Sequence, residues 1–276
     1  ATNIVTGLAT ANIDSIPVVA ITCNVGSALL GKDSFQEVNI SQVVKPITKA
    51  SFIVTDVNEL AQTIRNAFTI AMSGRRGPVL IDIPKDVTAN QAEFENVIPI
   101  SIDRVTDTID ENVITECAKM IAEAKKPFIF VGGGVIAADA AAELKTFVDK
   151  VDAPVCDTLM GKGAFPGTDK RYTGMLGMHG TKASNFGVSK CDLLVAIGTR
   201  FSDRVYGNAK NFAPDAKIIH IDIDEKEISK NVTADASIIG DAKVILSKLN
   251  DQIPQCNHKE WVDEVLDMSE KYPLYY

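Results

Sequence analysis

The sequence has no pair of cysteines at CxxC spacing, only three histidines, and no apolar run near the roughly 20 residues that a bilayer-spanning helix needs. The first two absences leave no zinc-type ligand cluster to build from. The third leaves no helical membrane span. Basic residues are also in deficit: 28 Lys and Arg against 36 Asp and Glu give a net charge of -8. That balance argues against a broad nucleic-acid-binding face, because phosphate neutralisation needs clustered cations, although a local basic pocket stays open. Internal repeats, low-complexity tracts and a GxGxxG fingerprint are missing too. The five cysteines, Cys23, Cys117, Cys156, Cys191 and Cys256, are odd in number and set in apolar or strand-like contexts. This is the usage of reduced core thiols in a cytoplasmic protein. The chain opens ATNIVTGLATANIDSIPVVAIT, without an initiator Met, a basic n-region or a cleavage signal, and the expectation is an interior part of a longer polypeptide.

What is present is the composition of a globular protein, 46% apolar and 23% charged over 276 residues, with two domains as the expectation. Ile16 to Thr22 (IPVVAIT) and Pro78 to Ile83 (PVLIDI) read as parallel strands buried on both faces. Between them Asn58 to Met72 sets Leu60, Ile64, Ala67, Phe68 and Ala71 at helical spacing, and Gly74 can cap that helix. Residues 1–85 thus predict the last strand-helix-strand units of an α/β domain, and the proline-containing polar stretch over 86–107 predicts a linker. A second domain is predicted over 108–255. It opens with a helix over Glu111 to Ala124 and a strand at FIFV, Phe128 to Val131. Further strands are predicted at Ala153 to Cys156, Leu193 to Ile197, Ile218 to Ile223 and Ser237 to Ile239, with a helix over Ala138 to Val148. The alternation predicts a doubly wound parallel sheet, and 256–276 reads as a second linker.

In an open parallel sheet ligands bind outside the carboxyl ends of the strands, so the residues that follow each strand are the informative ones. They are Gly132-Gly133-Gly134, the run Asp157 to Gly163, the run Gly198 to Arg204, Asp222-Ile223-Asp224, and Gly240-Asp241-Ala242. Glycines let backbone approach a ligand closely, Arg200 and Arg204 can pair with phosphate, and Asp222 can accept bonds from a ribose or adenine group. Each also has a plainer reading. The glycine run serves equally as a turn, the arginines and Lys162 as solvated charges, and His179 as a loop histidine. His220, alternating within a strand, and His258 read as structural. The acidic strand end at Asp222 lies far beyond the spacing of about 20 residues in the dinucleotide fingerprint, which disfavours a standard NAD site.

Taken in order, ATNIVTGLATANIDSIPVVAIT, GKDSFQE, the run Pro46 to Lys49, SGRRGPVLIDIPKDV, VGGGVI, DTLMGKGAFPG, LGMHGT and GTRFSDRV resemble the acetolactate (acetohydroxyacid) synthase family of thiamine-diphosphate enzymes, over nearly the whole chain. The resemblance implies that 1–85 is the second half of a pyrimidine-binding domain, that 108–255 is a central FAD-binding domain, and that 256–276 leads to a diphosphate-binding domain. It implies FAD contacts at Gly132, Gly133, Gly134, Thr158, Leu159, Met160, Leu176, Gly177, Met178, His179, Gly198, Thr199, Arg200, Asp203, Arg204, Val205, Asp222, Ile223, Asp241 and Ala242. It implies a catalytic-loop role for Phe35 and Gln36 against thiamine or substrate across a dimer interface. Lys45 stands where many relatives have a flavin-reaching arginine, and a lysine lacks the bidentate fork.

The implied activity of the parent enzyme is decarboxylation of pyruvate on thiamine diphosphate with Mg²⁺, then condensation with pyruvate or 2-oxobutyrate towards isoleucine and valine. A homo-oligomer with a regulatory subunit is implied as well. The glutamate that promotes ylid formation and the GDG metal segment of that family have no counterpart in this sequence, so the chain alone is expected to be inactive. A pyruvate oxidase or decarboxylase of the same build, or a stand-alone nucleotide-binding module, are the competing readings.

Overall fold

The computed structural model describes residues 1–98 and 100–274, and the chain divides into two compact units, Ala1–Asp103 and Arg104–Tyr276.

The first unit runs α1 (Val5–Ile13), β1 (Val19–Asn24), α2 (Ile40–Val44), β2 (Ala50–Ile53), α3 (Val57–Met72), β3 (Val79–Pro84) and α4 (Lys85–Ala89). Its strands form a parallel three-stranded sheet in the order β1-β3-β2, with β3 buried along its whole length. The Asp56 carboxylate caps α3 by accepting the Asn58 N–H at 2.9 Å. Ala67 and Ala71 face the core while Phe68, assigned to the same stripe from sequence, is 58% exposed. The first strand starts later than the sequence predicts. The Ile16 N–H bonds the Ala11 carbonyl at 2.8 Å and Ser15 is left-handed, so Ile16 belongs to the exit turn of α1. Strand β2 escaped the sequence reading because ASFI is short and only half-buried. The predicted linker also begins too early, since α4 buries Val87 in this unit's core.

The second unit contains α5 (Glu111–Glu123), β4 (Pro127–Val131), α6 (Gly133–Ala137), α7 (Ala141–Val151), β5 (Val155–Asp157), β6 (Tyr172–Met175), α8 (Lys182–Lys190), β7 (Leu193–Ile197), α9 (Asp203–Tyr206), β8 (Lys217–Asp222), β9 (Ala236–Ile239), α10 (Ala242–Gln252) and α11 (Lys259–Lys271). All six strands are parallel, in the order β6-β5-β4-β7-β8-β9. Strands buried on both faces must be apolar throughout, as β4 and β7 are, and alternate residues feed opposite layers. Ile129, Val131, Val195 and Ile197 meet Ile114, Ile121, Phe147 and Leu249 of α5, α7 and α10 on one side. Phe128, Phe130, Leu194 and Ala196 meet Val188, Trp261 and Val265 of α8 and α11 on the other. The doubly wound parallel sheet is therefore observed. The order of strands reverses between β4 and β7, which makes their ends the topological switch point.

Two sequence expectations change here. The helix predicted over Ala138 to Val148 is α7, which starts later, at Ala141, and the short α6 before it, which Asp139 at φ 53° separates from α7, was not predicted. Most of 256–276 is not linker. In α11, Trp261, Val262 and Val265 bury against the sheet, the Trp261 indole N–H bonds the Pro127 carbonyl at 2.9 Å, and Lys126 sits over the ring. The His258 ring lies between the carbonyls of Val151 and Ala124, at 2.7 and 3.0 Å, and anchors the start of that helix. Among the described residues no helix is long and apolar enough to cross a membrane.

Candidate functional site

The residues singled out in the second unit all follow strand ends of one parallel sheet, so the fold collects them along a single crest. The crest loops are tied to one another by continuation of the ladder. The Gly132 N–H bonds the Ile197 carbonyl at 2.9 Å, Gly134 bonds Gly198 at 3.0 Å, Thr158 bonds Val131 at 2.9 Å and Gly198 bonds Ile221 at 2.7 Å.

At the switch point the glycine run has a specific steric cause. A Cβ on Gly132 would lie 2.1 Å from the Gly198 carbonyl oxygen, and one on Gly134 would lie 2.6 Å from the Gly198 Cα. Gly198 itself holds φ 58°, so the two loops interlock backbone against backbone in a way only glycine permits. The turn reading and the close-approach reading of VGGGVI thus describe one arrangement. Gly133 continues into α6, packed against Met160.

On the β5 side, the Thr158 hydroxyl accepts the Gly161 N–H at 2.9 Å, closing a turn that holds Leu159 and Met160 outward, 70% and 40% exposed. The turn is pinned by a polar cluster that sequence reasoning left as a solvated charge. Lys162 Nζ lies 3.2 Å from the Tyr172 hydroxyl and 3.4 Å from the buried Asp157 carboxylate, while Tyr172 donates to Asp157 at 2.7 Å. Burial and the bond to Asp157 hold the Tyr172 phenol above its ordinary range. Lys162 is also raised: burial opposes its charge, but the bonds to Tyr172 and Asp157 outweigh it.

After β6 the run Leu176 to His179 divides. Leu176 is core, so only its backbone faces the crest, whereas Met178 and His179 are exposed. Gly177, at φ 99°, is closed against the Arg204 carbonyl, to which Met178 donates at 2.8 Å. After β7, Thr199 is buried and Arg200 half-buried. Asp203 and Arg204 are exposed and pair loosely at 3.9 Å, with Val205 half-buried beside them. His220 Nε2 donates to the Thr199 carbonyl at 2.8 Å, with Phe201 edge-on 5.0 Å away and Nδ1 buried without a partner. Desolvation, the main cause, pushes the His220 pKa below its usual 6.5, which keeps the ring neutral.

At the far strands, Asp222 is buried and accepts the Asp224 N–H at 2.9 Å, with Ile223 half-buried beyond it. The Asp241 carboxylate is engaged elsewhere: it caps α10 through the N–H groups of Lys243 and Val244 and takes Arg104 at 2.9 and 3.0 Å. Only the backbone of Asp241 and Ala242 is left to face the crest. Arg104 was missed because its partner lies 137 residues away and no local spacing signals the pair.

Beside the crest is a pocket of about 760 Å³, lined among others by Met178, Lys182, Arg204, Tyr206, Lys271 and Tyr272. Three cations against the single acid Asp203, with aromatic walls and an apolar rim, suit an anionic ligand with a planar part. Among the described residues, no cluster of His, Cys, Asp or Glu could hold a metal ion.

In the first unit, Phe35 is 87% exposed and Gln36 sits beside it at φ 59°, in the loop before α2. Lys45 is exposed at the end of α2. Near the ends of β1 and β3, the fully buried Asp82 accepts from Thr22 at 2.7 Å and Asn24 at 2.6 Å. The lone acid inside PVLIDI was the sequence signal for that network, and it went unused.

Residues 114–249 match the family model described as thiamine pyrophosphate enzyme, central domain. Over 100% of its length the chain is similar to an acetolactate synthase large subunit of Corynebacterium glutamicum, at 46% identity. A probable acetolactate synthase large subunit of Methanocaldococcus jannaschii is 50% identical over 90% of the chain, and one of Porphyra purpurea is 42% identical over 99%. The chain spans about half of these relatives: 45%, 43% and 48% of their respective lengths.

Proposed function

We propose that this chain, whose residues 114–249 match the thiamine pyrophosphate enzyme central-domain model, is part of an acetolactate synthase catalytic subunit. Its first unit is assigned to half of the pyrimidine domain and its second to the central domain. The observation that carries the reading is the 46% identity running through both units without a break in coverage. The parent enzyme decarboxylates pyruvate and joins the two-carbon unit to pyruvate or 2-oxobutyrate, on the route to isoleucine and valine in the cytoplasm. It works as an oligomer with a regulatory small subunit. Thiamine diphosphate supplies the electron sink for that chemistry, and it is held with Mg²⁺ by parts of the parent outside these residues. From this chain, Phe35 packs against the thiamine or substrate and Gln36 positions a carbonyl or water.

The crest of the second unit is assigned to FAD, which braces the parent enzyme rather than carrying electrons. The donor set fits. Arg200, Arg204 and Lys182 match a diphosphate, Asp222 a ribose, and the exposed Leu159, Met160 and Met178 a planar ring. Gly132 to Gly134 and Gly198 keep the floor at backbone level. Leu176, Thr199 and Asp241 contribute through backbone groups only. Equilibrium dialysis of the chain against FAD, NAD and ADP tests the assignment. FAD retained in preference to NAD supports it; NAD retained in its place, or no nucleotide bound at all, counts against it. Acetolactate formed from pyruvate by the chain alone would overturn its place as a non-catalytic part.

A further inference from the structure

Glu37 behaves unlike its two neighbours in the loop before α2. Phe35 and Gln36 point into solvent, whereas Glu37 is half-buried and turns its carboxylate back onto the loop. Oε1 accepts the Gly31 N–H, and Oε2 accepts the Ser34 N–H at 2.9 Å. The Glu37 N–H bonds the Ser34 carbonyl at 3.0 Å, and the Ser34 hydroxyl donates to the Leu29 carbonyl at 3.0 Å, so the turn is closed from both sides. Within it, Gly31, Asp33 and Gln36 hold φ of 74°, 53° and 59°. A left-handed backbone is free for glycine but costly for aspartate and glutamine, and it persists only where surrounding bonds enforce it. The two amide bonds to Glu37 span that strained segment and are the groups placed to enforce it.

We propose that Glu37 is a positioning residue: its carboxylate latches the Gly31–Ser34 turn and so holds Phe35 exposed and Gln36 left-handed. The proposal rests on the assignment of Phe35 and Gln36 to the catalytic loop, since that assignment gives their presentation a purpose. Hydrogen bonds to a carboxylate favour its ionised form. The Ser34 amide foremost, then the Gly31 amide, accordingly lower the Glu37 pKa against the ordinary 4.5, with the Lys32 amide and Ser34 hydroxyl adding to them and burial opposing. The charged side chains beside it in the turn are Lys32 and Asp33, both exposed. The latch is therefore closed at neutral pH and opens as pH falls through the depressed value.

Backbone NMR of the ¹⁵N-labelled chain tests this. In the wild type, the Gly31 and Ser34 amide signals should titrate together with a midpoint below 4.5, and the Gln36 amide should follow the same curve. In Glu37→Ala the Gln36 three-bond coupling should leave its left-handed value, and the Gly31 and Ser34 amides, which lose their acceptor, should exchange about tenfold faster. Glu37→Gln, which keeps one acceptor, should restore most of the protection and abolish the titration. Unchanged amide shifts in β1 and β3 separate release of the loop from unfolding of the unit. Should Glu37→Ala unfold, Glu37→Asp, with its shorter reach, gives the same readout. A Gln36 amide indifferent to these changes, or one that does not titrate with Gly31, overturns the proposal. Loss of Gln36's catalytic assignment would leave the loop measurement standing, because the spectra read the latch and not the chemistry.

Discussion

Replacing Asp241 by alanine separates its structural duties from a ligand contact. The side chain caps α10 through two backbone N–H groups, and losing such a cap costs about 1 kcal/mol. It also holds Arg104, whose side chain is 41% exposed against 8% for Asp241. Breaking a fully buried pair costs about 3–5 kcal/mol, and solvent at the arginine reduces this to about 1–2 kcal/mol. The total of about 2–3 kcal/mol corresponds to a melting point lowered by about 4–12 °C for a unit of this size. Trp261 is the sole tryptophan and lies 3% exposed in the second unit, so its fluorescence follows the melting of that unit. Asp241→Asn keeps a capping oxygen and should lose about half as much. If the crest holds FAD as proposed, neither change should weaken its retention beyond the loss of folded protein, since the carboxylate is taken up by the α10 cap and Arg104. An alanine variant melting within about 1 °C of wild type, or an asparagine variant as damaged as alanine, would refute the reasoning.

Gly132→Ala should cost more than about 3 kcal/mol or prevent soluble expression, because its Cβ meets backbone that cannot yield; Gly163→Ala, with open space but φ 94°, should cost only about 1 kcal/mol, and equal effects in thermal melts would contradict the interlock. The lowered His220 pKa means that the unfolded state binds a proton before the folded state does, so stability should fall as pH drops below about 6.5; His220→Asn should flatten that slope, and a slope shared by both proteins would assign it to other groups. In Ellman titration of the folded chain, the exposed Cys23 should react first and Cys256 more slowly. Cys117, Cys156 and Cys191 should wait for denaturant, since burial pushes Cys117 and Cys191 to about 12 and Cys156 well above its usual value.

The strands of the second unit were legible because a parallel strand buried on both faces has no freedom to be anything but apolar, as FIFV and LLVAI are. Their shared edge was legible too, since strands that all run parallel carry their carboxyl ends on one side. The pairings across that edge were not. Arg104 with Asp241 is a contact between residues far apart in the chain, and neither residue type nor local spacing encodes it. Leu176 was named beside Met178 from a continuous phrase, yet Gly177 between them, at φ 99°, turns the chain, and Leu176 went to the core. Helix α11 was missed because its stripe is short, with Trp261, Val262 and Val265 set among charges that read as solvated chain.

The interlock of Gly132 and Gly134 with Gly198 also bears on how a ligand is received. With carbonyl and Cα atoms already in contact, the loops after β4 and β7 can shift only together, as one stiff seat. A molecule settling there loses little to ordering the protein beneath it, so the adjustment falls on the outer arms that carry Met178 and Arg204. Selectivity at the crest would then be decided by residues that move, around a centre that does not.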